Sequence, residues 1–402
     1  MPASRSCPIP AVLAKLGPLS RDDTDRLRRH LERVPDPRGR RGRWYPLVGG
    51  LLMCACAAVS QARTVEETAE WGQRAALGLL DRLGFRRHVP GLYRSPSQPT
   101  LTRILAAVGT DALDTAIGAY LSEHRPAPGP ASRRAIAVDG KTLKGSARLG
   151  LRRRHLLSAV THGSAITLAQ REVGAKTNET AALRPLLEHL DLQGTVVTFD
   201  ALHSVQDSVR WLAQTRKVHY IAMIKGNQPT AYAQLKALPW GRIAVQHSTS
   251  ETGHGRRESR SIKTLAVADN LGGIAFPEAM LALRIHRRRK QTGAKESRET
   301  VYAVTSLDTH QAAPRELAGH VRRHWTVEAQ HHIRDRTFAE DASAVHTGNA
   351  PRAMASFRNL AIGRLKQLGA TNIAKTTRAI RDLPERAAQI LGIPDSPHTS
   401  GT

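Results

Sequence analysis

Three acidic residues, Asp139, Asp200 and Glu328, stand where their types and spacing could do chemistry. Asp139 follows the extended run Ala135-Ile136-Ala137-Val138 and Asp200 follows Val196-Val197-Thr198-Phe199. Side chains at the carboxyl ends of neighbouring strands in an open α/β sheet converge on one edge, where two carboxylates can share a hard cation. An aspartate after a strand also serves as a helix N-cap or turn residue, so these two positions alone leave both roles open. Glu328 closes Arg322-Arg323-His324-Trp325-Thr326-Val327-Glu328, on a predicted helix. It too has a plainer role, a surface ion pair of little energetic weight. Three carboxylates converging under a basic surface would instead suit two divalent ions acting on a phosphodiester. One ion would lower the pKa of the attacking water or 3′-hydroxyl and the other would stabilise the leaving oxygen, while lysines and arginines hold the strand.

Other apparent motifs carry no such chemistry. Gly140-Lys141-Thr142 mimics the end of a phosphate-binding loop, but Ala135 stands where that loop needs its first glycine, inside a predicted strand. His331 and His332 are adjacent, so on a helix they point about 100° apart, and no H-E-x-x-H spacing exists. Cys7, Cys54 and Cys56 offer neither a disulfide framework nor zinc spacing, and the last two read as small buried side chains on a core helix.

The 402-residue chain carries a formal net charge of +26. Such a surplus is self-repulsive unless a polyanion is the usual partner, with nucleic acid ahead of an anionic membrane surface. A membrane-spanning helix needs about 20 apolar residues in a row. The longest candidate, Leu47 to Ser60, is too short, and Met1 to Ala11 lacks the order of a signal peptide. The expectation is a cytoplasmic, nucleoid-associated protein without a membrane partner.

The elements that must position the three acids follow from periodicity. Helical spacing over Asp22 to Val34, Leu47 to Ser60, Val65 to Leu83 and Gln98 to Leu121 predicts an all-α amino-terminal region, residues 1–125. Within it, Arg38, Arg40, Arg41 and Arg43 precede Trp44 and Tyr45 on a Pro/Gly-rich loop, a surface able to track a phosphate backbone or simply a solvated basic loop. Three prolines between Arg125 and Ala131 predict a linker over 126–132. The order βββαβαβ then describes an α/β unit over 133–241, with an apolar stripe at Leu183, Leu186, Leu187 and Leu190 on its first helix. A β-rich insertion is expected over 242–306, starting at Ile243 to Val245. Acidic helices follow over 307–370, with a tail of one helix and a disordered end over 371–402.

With these pieces in view, the chain resembles the DDE transposases of bacterial insertion sequences, in the branch that includes the H-repeat-associated proteins. The resemblance runs from about Leu31 to Leu368. It rests on Val34-Pro35-Asp36-Pro37-Arg38, Pro96-Ser97-Gln98-Pro99-Thr100, Ala137-Val138-Asp139-Gly140-Lys141-Thr142-Leu143-Lys144-Gly145-Ser146, Phe199-Asp200-Ala201-Leu202-His203, Ile224-Lys225-Gly226-Asn227-Gln228, His324-Trp325 through Glu328, and Phe338-Ala339-Glu340-Asp341. It implies an RNase H-like catalytic domain with a β-rich insertion, dependent on Mg2+ (with Mn2+ as a substitute). Asp139, Asp200 and Glu328 are then the metal-ligating catalytic trio. Lys141, Lys144, Lys225, Arg322 and His324 join the basic loop as DNA-contact candidates by charge and place. The implied partners are the double-stranded terminal repeats of the element and its target DNA, engaged by a homodimer or larger assembly. Ala329 stands where the family commonly has asparagine, Val205 where it has glutamine and Arg323 where it has glycine. None removes a carboxylate, but these departures motivate one alternative, an inactive or repurposed DNA-binding copy. A stand-alone nuclease using the same site is another.

Overall fold

The computed structural model describes residues 10–18, 23–89, 92–123, 125, 133–147, 152–174, 179–200, 206–253, 255–267 and 273–394. The expected linker at 126–132, Val205, Ala201 to His203, Cys7 and the expected disordered end at 395–402 lie outside these residues.

Seven helices are described in the amino-terminal region: α1 (Ala11–Ala14), α2 (Arg26–Leu31), α3 (Leu47–Val59), α4 (Val65–Arg74), α5 (Leu77–Arg82), α6 (Gln98–Ala107) and α7 (Thr110–Glu123). α3 is apolar on every side and buried along nearly its whole length, Cys54 and Cys56 included. α4 starts at a side-chain cap: Thr64 Oγ1 accepts from Glu67 N at 3.0 Å, and Glu67 reaches back past the cap to accept from Arg63 N at 2.7 Å. The region is not purely helical, because Arg87–Val89 and Leu92–Tyr93 pair as a short antiparallel ribbon. Strands of three and two residues carry too little alternation to show in the sequence. Among the described residues no single helix is long and apolar enough to cross a membrane; α6 and α7, read as one apolar pair, are bent by 92°.

The rest is built on one mixed sheet. Its strands are β1 (Arg134–Leu143), β2 (Arg154–Thr161), β3 (Thr167–Val173), β4 (Thr195–Phe199), β5 (His219–Ile224), β6 (His247–Gly253), β7 (Arg256–Ala266), β8 (Leu281–Gln291) and β9 (Ser297–Thr305). They lie in the order β3-β2-β1-β4-β5-β9-β8-β7-β6. β1, β4 and β5 run parallel, while β2 is antiparallel to both of its neighbours. Helices α8 (Glu179–Leu187), α9 (Gln206–Arg210) and α10 (Pro229–Ala237) connect them. The inserted strands continue this sheet, since β9 pairs antiparallel with β5 from Tyr302↔Ile224 to Thr305↔Ile221. The first of them begins at His247, later than the expected Ile243 to Val245. His-Ser-Thr-Ser-Glu-Thr-Gly is an exposed edge strand with no apolar alternation to reveal it.

Five helices close the chain: α11 (Pro314–His324), α12 (Thr326–Phe338), α13 (Ala350–Gln367), α14 (Ile373–Ile380) and α15 (Pro384–Ile390). The tail thus holds two helices where one was expected. Their buried Ile373, Ile380, Ala387 and Ile390 join the same core as α3 and α13. That core also covers one face of the sheet, through Ile136, Val138, Val197 and Phe199. The other face carries Ala135, Val196, Ile221 and Met223 and packs against Leu317 and Val321 of α11.

Candidate active site

Strand alternation decides where the two aspartates point. Ala135, Ala137 and Asp139 share one face of β1, and Val196, Thr198 and Asp200 share the same face across the parallel ladder, whose last pair is Val138↔Phe199. Asp139 and Asp200 are therefore the next residues of adjacent strands, both on the side of α11 and α12. Asp139 does not end its strand, as the sequence suggested. β1 continues to Leu143 because its ladder with β2 persists from Asp139↔Ser158 to Leu143↔Arg154 after β4 has stopped. The small side chain of Ala137 lets α12 approach, and Val327 packs on it. That contact brings the next residue, Glu328, to the same cleft.

The cleft has a volume of about 1120 Å³ and is lined by Asp139, Asp200 and Glu328 together with Lys225, Arg260, Arg287, Arg322, Arg323 and Trp325. Burial raises the Glu328 carboxyl above the usual carboxylate range; the Arg287 guanidinium opposes this, and the Asp200 carboxylate adds to the rise. Lys225 Nζ donates to Asp200 Oδ1 at 3.0 Å, both side chains being well exposed. His331, one turn after Glu328, places Nδ1 3.7 Å from Asp139 Oδ2. Burial, helped by Arg334 and Lys141, pulls its pKa down to about 3, so the imidazole is neutral at pH 7. Adjacency to His332 hid that one of the two histidines, His331, faces β1.

Three carboxylates form a hard, anionic donor set. The set therefore fits a divalent ion by chemistry. Among the described residues, however, no three His, Cys, Asp or Glu side chains are close enough to hold a metal as they stand. Ligation would require the side chains to move, and Lys225 to leave Asp200.

The remaining sequence candidates are distributed unevenly. Lys141, on the same face of β1 two residues beyond Asp139, is buried and donates to both Asp335 oxygens at 2.8 Å. It pins β1 to α12 and offers no free face to a phosphate in this arrangement. Lys144 is 62% exposed and bound to Asp341 at 2.7 Å. Arg322 lines the cleft with Glu251 as its bidentate partner. His324 is buried, with Nδ1 2.9 Å from Thr198 Oγ1, and so ties α11 to β4 rather than facing solvent. In the amino-terminal loop, Arg38 grips Asp36 at 2.8 and 2.9 Å and Tyr45 O at 2.9 Å, while Arg43 donates to Arg38 O and Asp36 O. These two shape the loop. Arg40 and Arg41, on its 3-10 turn, and Trp44 beside them are exposed. None of the loop arginines lines the cleft.

The segment that supplies all three acids matches the family model of the transposase DDE domain over residues 130–363, and a DDE transposase-associated model matches residues 28–121. The chain belongs to the DDE transposase family. It is similar to "Putative transposase YncI" of Escherichia coli O157:H7, 25% identical over 346 residues, covering 83% of this chain and 85% of that one. It is similar as well to "H repeat-associated putative transposase YhhI" of Escherichia coli K12, 26% identical over 354 residues and covering 85% and 90%. A solved piggyBac transposase, in a synaptic complex with hairpin DNA, overlaps 88% of this chain and 73% of its own with a TM-score of 0.39 at 10% identity.

Proposed function

We propose that this member of the DDE transposase family is a DNA transposase with an RNase H-like core, cutting and rejoining strands at the ends of an insertion sequence. The observation that carries the reading is that Asp139, Asp200 and Glu328, from three distant segments, line one cleft rich in arginine and lysine. The strand order β3-β2-β1-β4-β5 supports the RNase H-like assignment. Asp139 and Asp200 would offer oxygens from adjacent strands, and Glu328 a third from α12, to Mg2+ or Mn2+. Such an ion supplies activation of the attacking water or 3′-hydroxyl and charge stabilisation of the leaving oxygen. Lys225, once released from Asp200, would carry its charge to a phosphate at the same edge. Arg287 and Arg322, held by carboxylate partners, would line the path of the strand. The partner is double-stranded DNA, element ends and target alike, bound by a homodimer or larger assembly.

The test is incubation with DNA carrying the element's own terminal repeats and Mg2+. Cleavage and strand-transfer products are expected from the wild type. Asp139→Ala, Asp200→Ala and Glu328→Ala should each reduce both by roughly 10²–10³-fold, as loss of an electrostatic catalytic group does. Wild-type rates in any of the three would refute the assignment. A second reading, a transposase-derived protein that binds DNA without strand chemistry, is favoured by the Lys225–Asp200 contact. It predicts binding to the repeats and no product with either metal.

A further inference from the structure

The inserted strands β7, β8 and β9 extend well past the helices that cover their inner ends. On the face away from the cleft, that cover ends near Tyr302, whose ring meets Tyr232 of α10 at 5.8 Å and Trp240 at 6.2 Å. Tyr302 lies opposite Arg284. Six residues farther along β8 stands Lys290, roughly 20 Å beyond at the rise of an antiparallel strand.

Register and alternation sort the charges of this extension onto two faces. Arg287 lines the cleft, so Arg288 and Lys290 point to the opposite side. Arg257 lies directly across from Lys290, and Arg298 directly across from Arg288. All four are exposed. The cleft face interleaves acids with its cations: Glu258 takes Arg256, Arg260 and Arg287, and Glu251 takes Arg322. The far face has no acid in these strand positions. Its nearest carboxylate is Glu296 in the turn, which accepts from Arg298 Nε at 2.6 Å. Like charges directly opposite each other on a sheet are destabilising. Two such cross-strand pairs, Lys290/Arg257 and Arg288/Arg298, therefore cost the folded state stability that a bound polyanion would return.

We infer that the far face of the β7–β8–β9 extension is a second DNA-docking surface, binding the phosphate backbone of a duplex without regard to sequence through Arg257, Arg288, Lys290 and Arg298. It is separate from the cleft, so it holds a different stretch of duplex from the one being cut. The choice of DNA as the polyanion rests on the transposase reading, but the surface needs no metal and no chemistry.

Binding is measured in EDTA by fluorescence anisotropy, with a labelled 30-base-pair duplex of arbitrary sequence and a series of salt concentrations. Each phosphate contact contributes about 0.9 to the slope of log affinity against log salt. The quadruple variant Arg257→Gln, Arg288→Gln, Lys290→Gln, Arg298→Gln should lose about 3.6 from that slope, while its melting temperature rises as the like-charge pairs are relieved. A variant of equal charge change placed elsewhere on the exposed surface, Arg103→Gln, Lys217→Gln, Lys375→Gln, Arg378→Gln, should keep the wild-type slope within one contact. A fourfold exchange that keeps the charge, Arg to Lys at 257, 288 and 298 and Lys290→Arg, should restore the slope and guards against a folding defect. The inference is overturned if the two neutral variants lose equally. It is also overturned if the extension variant binds duplex like wild type and loses only single-stranded RNA or vesicles containing phosphatidylserine. Because EDTA abolishes cleavage in every sample, failure of the catalytic reading leaves this result unchanged.

Discussion

Replacing Glu340 with Gln should destabilise the protein by about 3–5 kcal/mol, although Glu340 touches nothing in the cleft. Its carboxylate is 2% exposed and accepts from Arg334 Nε at 2.8 Å, from Arg334 at 3.0 Å through the second oxygen, and from Arg358 at 3.0 Å. Both guanidiniums are as deeply buried as the acid. Arg358 also donates to Arg63 O at 3.1 Å, and Arg334 to Asn359 Oδ1 at 3.4 Å, so each arginine has lesser anchors once the acid is gone. Removing one member of a buried pair costs roughly 3–5 kcal/mol, because the partner's charge stays buried without compensation. Here two positive charges would be stranded, which sets the expectation within that range despite the amide oxygen that Gln retains.

The assay is equilibrium urea unfolding at pH 7, followed by fluorescence and circular dichroism. The sign with pH is fixed as well. Burial alone would raise the Glu340 carboxyl, but the two guanidiniums override it and hold it below the usual carboxylate range. A depressed carboxyl contributes stability that is present above the unfolded-state value, about 4.3 for Glu, and lost as pH falls through the folded value. The gap between wild type and Glu340→Gln should therefore be full at pH 7 and shrink below about pH 4.3. Replacing all three residues with apolar ones, Arg334→Met, Glu340→Leu and Arg358→Met, should cost less than Glu340→Gln alone. A loss below about 1 kcal/mol in Glu340→Gln, or a gap that widens on acidification, would show that the two buried guanidiniums do not depend on Glu340.

Other expectations follow from single contacts. Lys225→Met breaks an exposed pair worth about 0–1 kcal/mol; it should leave the melting temperature unchanged and raise Mn2+ affinity by up to about fivefold in calorimetric titration. A fall in affinity would show that Lys225 does not compete for Asp200. Gly145→Ala should lower the melting temperature, since a Cβ there would lie 2.1 Å from the Ser343 carbonyl oxygen, whereas Gly78→Ala, with nothing within 4 Å, should hold or raise it. Equal shifts in the two would mean that the Gly145 loop yields freely.

The parts of this fold that could be read in advance are those governed by local pattern. The βββαβαβ order and the later inserted strands follow from side-chain pattern, and the helix at Leu47–Val59 from its unbroken apolar composition. What escaped depends on partners distant in the chain. Lys141 looks like a phosphate contact until Asp335, 194 residues away, is seen to hold it. Arg38 looks like part of a DNA-tracking loop until its fork is seen closed on Asp36 and the Tyr45 carbonyl. His324 carries a DNA-facing neighbourhood in sequence but turns inward to Thr198. That the tail holds two helices and not one was hidden for a different reason: each is under ten residues, and their burial depends on the α3 and α13 surface waiting for them.

The net charge of +26 is therefore not one property but two. Around the cleft the cations are held by acids: Lys225 by Asp200, Arg322 by Glu251, and Arg287 by Glu258 at 2.6 Å with Glu299 at 3.7 Å. Such pairs fix guanidinium orientation and add little net field, which suits a site that must position one phosphodiester against carboxylates. On the far side of the β7–β8–β9 extension Lys290 faces Arg257 and Arg288 faces Arg298, with Glu296 in the turn accepting from Arg298, an arrangement that raises the field at the expense of stability. Paired charges serve placement and clustered charges serve capture. On the proposed function the two are best kept apart, because cations dense enough to capture a duplex would, at Asp139, Asp200 and Glu328, compete with a metal ion for the carboxylates.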